Sequence, residues 1–379
     1  MAKFLINNTA LRNNGDVALV QSLSNALVRN GHQVMIATSY DNFAQQINVA
    51  EGVCPEVAGY KIRYFQHRLL ANIAAIFLLL TDKHYRSCDV ILGAPGGYIN
   101  SFYGINWKLT IYRWAKVFGK KTAIYSQSVG PLNAQDKSIL QASQRYIDLL
   151  VVRDVYSYKA AVDTGFLSEN ILLTEDAIFL ENPVFSTESK SSKIVLFSVR
   201  QWTYEARDLN AYITLMCQLV QLVLAKGFRI EFVSTCQGLA TYINDAQLAQ
   251  TIVDNILKEN PAADVCVDNT YHTLASLKSK ISKSNLVIGT RLHMCLLALT
   301  SGIPAFNLSY EVKGLECYKY LGLTAYSIDY NELPTQAIQQ LTQFLDNAAE
   351  IRAALPSLMQ ERHRVANDQL VAFLNRLGL

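Results

Sequence analysis

The sequence predicts an α/β protein of two doubly wound domains facing a cleft, and three observations predict it. Short β-branched runs alternate with helix-period patterns from one end to the other, as βαβ units with a mostly parallel sheet require. The alternation happens twice, on either side of Ser186-Thr-Glu-Ser-Lys-Ser-Ser-Lys193, which is polar, small and without periodicity, as an interdomain linker is. A chain of 379 residues, half of them apolar, has material for two such cores. The divisions follow: an N-terminal domain over 1–185, a linker over 186–193, a C-terminal domain over 194–350, and a tail over 351–379 packing back on the first domain.

In the first domain the strand candidates are 3–6, 33–38, 89–93, 121–126, 149–153 and 171–174. Asp16 has the side chain of an N-cap for a helix carrying Val20, Leu23 and Leu27 on one face and stopped by Gly31. Residues 68–80 form a strongly apolar helix candidate, with Lys61, Arg63 and Arg68 at its start and Lys83, His84 and Arg86 after it. It is too short to span a bilayer. Two readings of it stand: a core helix, or a segment lying on an anionic lipid surface. The second domain restarts with strand 194–199 and a helix over 208–225 closed by Gly227. Strands at 229–234, 264–267, 285–289 and 304–308 follow. From Pro334 the pattern is helical, with Leu355, Leu358, Val365, Leu370, Phe373 and Leu377 available for burial.

Composition narrows the function. Lys plus Arg (34) nearly balance Asp plus Glu (31), and a net charge of +3 offers no broad footprint for nucleic acid. Seven cysteines, scattered and with no Cys-x-x-Cys, argue against a zinc module or a disulfide framework and fit a reduced cytoplasm. The N-terminus runs straight into a strand-like pattern rather than an apolar leader. His67, His84 and His272 lack metal-ligand spacing or partners in sequence, and there is no Gly-x-Ser-x-Gly elbow. No Walker loop or Gly-x-Gly-x-x-Gly follows any strand.

The sharpest constellation is Gly289-Thr290-Arg291-Leu292-His293, where a buried strand empties into a helix. A helix N-terminus offers N–H groups to an anion, and arginine adds a planar fork for phosphate or carboxylate. The bland alternative puts Arg291 in a structural salt bridge and His293 on a helix surface. Residues two apart on a helix point nearly opposite ways, so both face one ligand only where the turn is irregular. Arg200 follows strand 194–199 and is a second anion candidate at a strand's carboxyl end. In the first domain, strand 89–93 feeds Ala94-Pro95-Gly96-Gly97, whose glycines let backbone approach a ligand closely. Ser126-Gln127-Ser128 ends another strand, and Asn14 and Asp16 sit in the loop entering the first helix. These loops carry the acceptor-side candidates Asn14, Asp16, Gly96, Gly97 and Gln127. Arg153-Asp154 reads as a local salt bridge or a helix cap.

Taken in order, these pieces resemble the polysaccharide pyruvyl transferase family. The matching stretches are Asn14-Gly15-Asp16-Val17-Ala18, residues 89–98, Val129-Gly130-Pro131, Val152-Arg153-Asp154-Val155-Tyr156-Ser157, Glu175-Asp176, residues 289–293, and Gly302-Ile303-Pro304 through Tyr310 and Lys313. The resemblance implies two Rossmann-like domains in the GT-B-like arrangement. It also implies transfer of pyruvate from phosphoenolpyruvate onto sugar hydroxyls as a ketal in cell-surface polysaccharide biosynthesis. It places Arg200, Arg291 and Leu292 at the phosphoenolpyruvate site and makes His293 the general acid, a role that suits imidazole. Asp16 and Asp176 are candidates for the hydroxyl-activating base. No metal and no organic cofactor is required. The expected partners are phosphoenolpyruvate and a lipid- or nucleotide-linked sugar, with no nucleic acid and with peripheral contact at the inner face of the membrane. Two other readings share the plan: a GT-B nucleotide-sugar glycosyltransferase with Arg291 on a diphosphate, and a silent sugar- or anion-binding protein.

Overall fold

The computed structural model describes residues 1–38, 47, 53–55, 68–185, 193–202, 208–330 and 334–379. The chain divides into two units. The first comprises Met1–Arg12, Asp16–Glu181 and Arg362–Leu379, and the second comprises Asn13–Gly15 and Asn182–Glu361. The second unit thus begins just before Pro183 and keeps the chain to Glu361, past the expected 350. Residues 186–192 of the expected linker lie outside the described residues.

The strands of the first unit are β1 (Lys3–Asn7), β2 (Gln33–Thr38), β3 (Val53–Pro55), β4 (Val90–Gly93), β5 (Gly96–Ile99), β6 (Lys121–Val129), β7 (Leu149–Val152) and β8 (Ile171–Leu173). They form a parallel sheet in the order β3-β2-β1-β4-β6-β7-β8, with β5 paired to β6. The second unit holds β9 (Ile194–Ser198), β10 (Arg229–Phe232), β11 (Val265–Val267), β12 (Leu286–Gly289), β13 (Ala305–Ser309) and β14 (Ser327–Asp329). Their order is β11-β10-β9-β12-β13-β14, again all parallel. Numbered from its own first strand, the second sheet runs 3-2-1-4-5-6, the Rossmann order. Helices cover both faces of such sheets, so the central strands read as unbroken apolar runs; Val90-Ile91-Leu92 and Val287-Ile288 are fully buried.

Two local expectations change. The first helix is Asn14–Arg29, so Asp16 lies in its first turn rather than at its N-cap. The Asn13 carboxamide oxygen accepts the Gly15 N–H at 3.0 Å instead. Gly96 and Gly97 lie in β5, not in a free loop, because after a break at Ala94-Pro95 the chain runs on in the same direction and pairs again with β6.

The apolar helix Arg68–Thr81 is a core helix on one side only. Ala71, Ala75, Leu78 and Leu79 are buried, while Leu69, Leu70, Ile73, Phe77 and Leu80 are exposed.

The tail is a helix, Ala348–Arg376, which continues through Pro356. Its residues from Arg362 onward belong to the first unit. There Phe373 packs edge-on against Tyr125 at 5.0 Å, Leu370 and Leu377 are buried, and Gln369 Oε1 accepts from the Thr174 hydroxyl and the Glu175 N–H at 2.8 and 2.9 Å. Leu358 and Val365 are only half-buried; Met359 and Ala366, one position on, take the inner line instead. That line continues from Leu355 to Leu370, Phe373 and Leu377 in steps of three, four and seven residues, which keep to one face of a helix.

Candidate functional site

In a doubly wound sheet the ligand crevice opens at the carboxyl ends of the strands, where the two central strands send their connections to opposite sides. In the second unit that point lies between β9 and β12, whose register sets Gly289 beside Ser198. Arg200 leaves β9 there, and Thr290-Arg291 leaves β12. The strands come this close because position 289 has no side chain: a Cβ there would lie 3.1 Å from Ser198 Cβ and 3.3 Å from Cys295 Sγ. The Thr290 N–H then donates to the Ser198 carbonyl at 2.7 Å, and the Thr290 hydroxyl bonds Tyr212 at 2.6 Å.

Arg291 is the N-cap of helix Leu292–Thr300, with extended backbone (φ −82, ψ 106). That resolves the two-apart difficulty, since Arg291 departs from extended backbone and His293 from the second position of the helix. The Nε–Nη2 edge of Arg291 is engaged: Nε donates to Asp245 Oδ2 at 2.7 Å and Nη2 to Oδ1 at 2.9 Å, both partners being buried. Asp245 Oδ2 also accepts from Ser234 Oγ at 2.9 Å, and that hydroxyl lies 3.1 Å from Ser198 Oγ. Burial disfavours the Arg291 cation, but the Asp245 carboxylate more than offsets it and holds the guanidinium charged well above its ordinary range. The salt-bridge alternative therefore holds for one edge of this fork. Leu292 is buried, so at the first position of the helix it has a backbone N–H to offer, not a side chain.

Arg200 meets the residue that leaves β13. Its Nη1 donates to the Tyr310 hydroxyl at 2.6 Å, and its guanidinium lies 4.8 and 5.1 Å from the centroids of the Tyr310 and Trp202 rings. Burial raises the Tyr310 pKa, and both Arg200 and Arg291 pull against that rise, so both cations stand near one phenol. Next in sequence, Glu311 pairs with Lys313 at 2.6 Å. Burial pushes the Glu311 carboxyl up, and Lys313 with Arg200 outweighs it, so its pKa is lowered. Adjacent strand ends thus gather Arg200, Arg291, Tyr310 and Lys313, with His293 two residues beyond Arg291.

Asn13–Gly15 group with this unit. The Asn14 N–H donates to the Thr235 carbonyl at 3.1 Å and its side-chain amide to the His272 carbonyl at 2.6 Å. A Cβ on Gly15 would fall 2.8 Å from His293 Cβ, so a side chain at 15 would displace the histidine. His272 has a partner that its sequence neighbourhood did not reveal: Nε2 lies 2.6 Å from Asp268 Oδ2, which also pairs with Lys280 at 2.7 Å. His84 likewise lies 3.1 Å from Asp82.

The equivalent point of the first unit lies between β1 and β4, and there the structure brings Asp16 to Gly96. A Cβ on Gly96, whose φ is +153, would stand 3.9 Å from Asp16 Oδ1. Gly97 and Tyr98 beside it are half-buried. Gln127 does not reach outward. Its Oε1 accepts the Tyr98 N–H at 2.9 Å and its Nε2 donates to the Ala94 carbonyl at 3.2 Å, fully buried, so it holds the 94–98 backbone in place. Asp176 is similarly committed, buried with Arg153 at 2.7 Å and accepting the Ile178 N–H, which removes it as a base. Asp154 caps helix Val155–Asp163, as expected for one of the pair.

Sequence reasoning missed Asp245, Tyr212 and Lys108. Lys108 is buried with its ammonium 5.4, 5.3 and 5.2 Å from the ring centroids of Tyr98, Tyr103 and Trp107, and it donates to the Tyr98 carbonyl at 3.2 Å. Lysine among aromatics was a visible signal; Asp245 had none, lying 46 residues from Arg291. Among the described residues no three His, Cys, Asp or Glu side chains cluster as metal ligands.

The family profile described as polysaccharide pyruvyl transferase matches residues 13–312. The amylovoran biosynthesis protein AmsJ of Erwinia amylovora is 22% identical over 316 residues, covering 79% of this chain and 75% of AmsJ. Among solved structures, Anabaena HepE in complex with UDP and glucose superposes with a TM-score of 0.65 at 10% identity, over 99% of this chain and 100% of that one. The UDP-GlcNAc 2-epimerase of Methanocaldococcus jannaschii gives 0.59 at 11% identity over 92% of each chain. At that identity the likeness is one of fold, the two-domain GT-B-like plan.

Proposed function

The chain belongs to the polysaccharide pyruvyl transferase family, and from that premise we propose that it moves pyruvate from phosphoenolpyruvate onto two hydroxyls of a sugar as a ketal, in cell-surface polysaccharide biosynthesis. The observation that carries this reading is the gathering of Arg200, Arg291 and His293 at the switch point of the second sheet, above a helix N-terminus. Phosphoenolpyruvate presents a phosphate and a carboxylate. Arg200 takes one anion, with Lys313 near it. Arg291 reaches the other through Nη1, the nitrogen not committed to Asp245, while the Leu292 and His293 amides point along the helix axis toward negative charge.

His293 donates a proton to the methylene carbon of the enol as a sugar hydroxyl adds to the adjoining carbon and gives up its own proton. Phosphate then departs from the tetrahedral centre, the arginines neutralising its charge, and a second hydroxyl closes the ketal. The balance is phosphoenolpyruvate plus a diol giving ketal plus phosphate, with no redox step. Within the first unit the acceptor-side candidates are Asp16 and Gly96, with Asp16 the candidate base. Phosphoenolpyruvate is a cytoplasmic metabolite, so the reaction belongs there, on a nucleotide- or lipid-linked acceptor. The nucleotide-sugar glycosyltransferase reading draws on the UDP held by HepE, a fold relative.

One experiment separates them. The protein is incubated with phosphoenolpyruvate and a panel of glycosyl acceptors, and the products are examined for an added pyruvyl mass and for released phosphate. Melting temperature is followed in parallel with phosphoenolpyruvate or UDP. Stabilisation by UDP alone, with no phosphate released from phosphoenolpyruvate, would reject pyruvyl transfer.

A further inference from the structure

We infer that the outer face of helix Arg68–Thr81 is a docking surface for an anionic lipid membrane. Leu69, Ile73, Phe77 and Leu80 recur at spacings of four, four and three, which lays them along one side of the helix, and their exposures are 71, 52, 56 and 54%. The opposite side is packed in the core, so the exposed line is held out by a fixed element. Soluble proteins seldom leave apolar surface contiguous in this way without a use for it.

Charge selects the occupant. Between Glu56 and Asp89 the ionised side chains are Lys61, Arg63, Arg68, Lys83 and Arg86 against Asp82 alone, in a chain whose charges otherwise nearly balance. The one acid is engaged as a helix cap, Asp82 Oδ1 accepting the His84 and Tyr85 N–H groups. Lys83 and Arg86 are exposed, whereas Lys61 and Arg63 lie outside the described residues. At the end of helix Asn106–Val117, Val117 and Phe118 are exposed as well, and the Lys120 ammonium that follows them donates to the Arg86 and Cys88 carbonyls. At the carboxyl end of the apolar line the described side chains are thus cationic, Lys83 and Arg86. An anionic bilayer takes both features at once, apolar side chains entering the headgroup boundary and basic ones meeting lipid phosphate. Among the described residues no helix is long and apolar enough to cross a membrane, so the contact is peripheral.

This inference goes beyond pyruvyl transfer and stands on different residues, and its test uses neither donor nor acceptor, so either can fail alone. The whole protein is sedimented with phosphatidylcholine vesicles, with or without phosphatidylglycerol, at low and high salt. The expected result is pelleting with anionic vesicles at low salt, reduced about tenfold by high salt and by Ile73→Glu with Phe77→Glu. Lys83→Glu with Arg86→Glu, which leaves the apolar line intact, should also reduce it. Failure to pellet with anionic vesicles at low salt overturns the proposal. So does pelleting that both double variants leave unchanged, or self-association without vesicle binding that the Ile73→Glu, Phe77→Glu variant abolishes.

Discussion

A buried guanidinium held along one edge by a carboxylate cannot lose its partner quietly. Replacing Asp245 by Ala leaves the buried Arg291 charge without its partner, at a cost of about 3 to 5 kcal/mol. Urea unfolding measures this, and an unchanged midpoint would show that the pair is not the anchor of the β12 exit. Arg200 is held differently, by a phenol and two ring faces. In the proposed reaction Arg200→Ala weakens phosphoenolpyruvate binding by about 2 kcal/mol, and Lys restores it only partly because it lacks the planar fork. Calorimetric titration of the three forms decides this; equal affinities would take Arg200 out of the site. His293→Gln should separate the two functions of the cluster, keeping donor affinity and melting temperature while turnover falls by roughly 10² to 10⁴. Turnover near that of the unaltered protein in a phosphate-release assay would assign the proton to another group.

At the scale of the element, the exit from β12 depends on a strand and a helix that approach each other too closely for any side chain at position 289. Gly289→Ala places a methyl 3.1 Å from Ser198 Cβ, which is fixed in the neighbouring strand, and should cost about 1 to 3 kcal/mol through strain. Thermal unfolding reads this, and a melting temperature equal to that of the parent would mean that β9 yields. The same junction shows what the sequence could convey. Val287-Ile288-Gly289 is a local pattern, a buried run ending where a turn is needed, and it placed both strand and helix start. The short strands β3, β5 and β14 were not picked out, because their pairing is decided by strands already in place. The Arg291–Asp245 pair and the inward turn of Gln127 depend on which loops the topology brings together, which no window along the chain contains. The helix Arg68–Thr81 was ambiguous for a related reason: composition told that it was apolar, but only packing could tell that one side is left uncovered.

For the molecule as a whole, the first unit is completed by residues that come last. Gln369, Leu370, Phe373 and Leu377 fill positions beside Thr174, Glu175 and Tyr125, and Arg362 pairs with Glu175 at 2.7 Å. Ending the chain after Glu361 should therefore damage the first unit, although the residues removed follow the second in sequence. Limited proteolysis would locate the damage, with cleavage accelerated within 16–181; cuts confined to the second unit would show that the terminal segment is dispensable to the first.

That arrangement also sets an order of events on the ribosome. Residues 16–181 emerge early, yet the segment that covers Tyr125 and ties down Glu175 is translated only after the second unit has been made. At 5–20 residues per second the delay is roughly ten to forty seconds, long against the collapse of a domain of this size. The nascent first unit must wait with part of its apolar surface open, a natural binding window for a chaperone that holds hydrophobic surface. Joining a copy of residues 362–379 to the N-terminus through a flexible linker would close that window, and the fraction of soluble protein made without chaperones should rise.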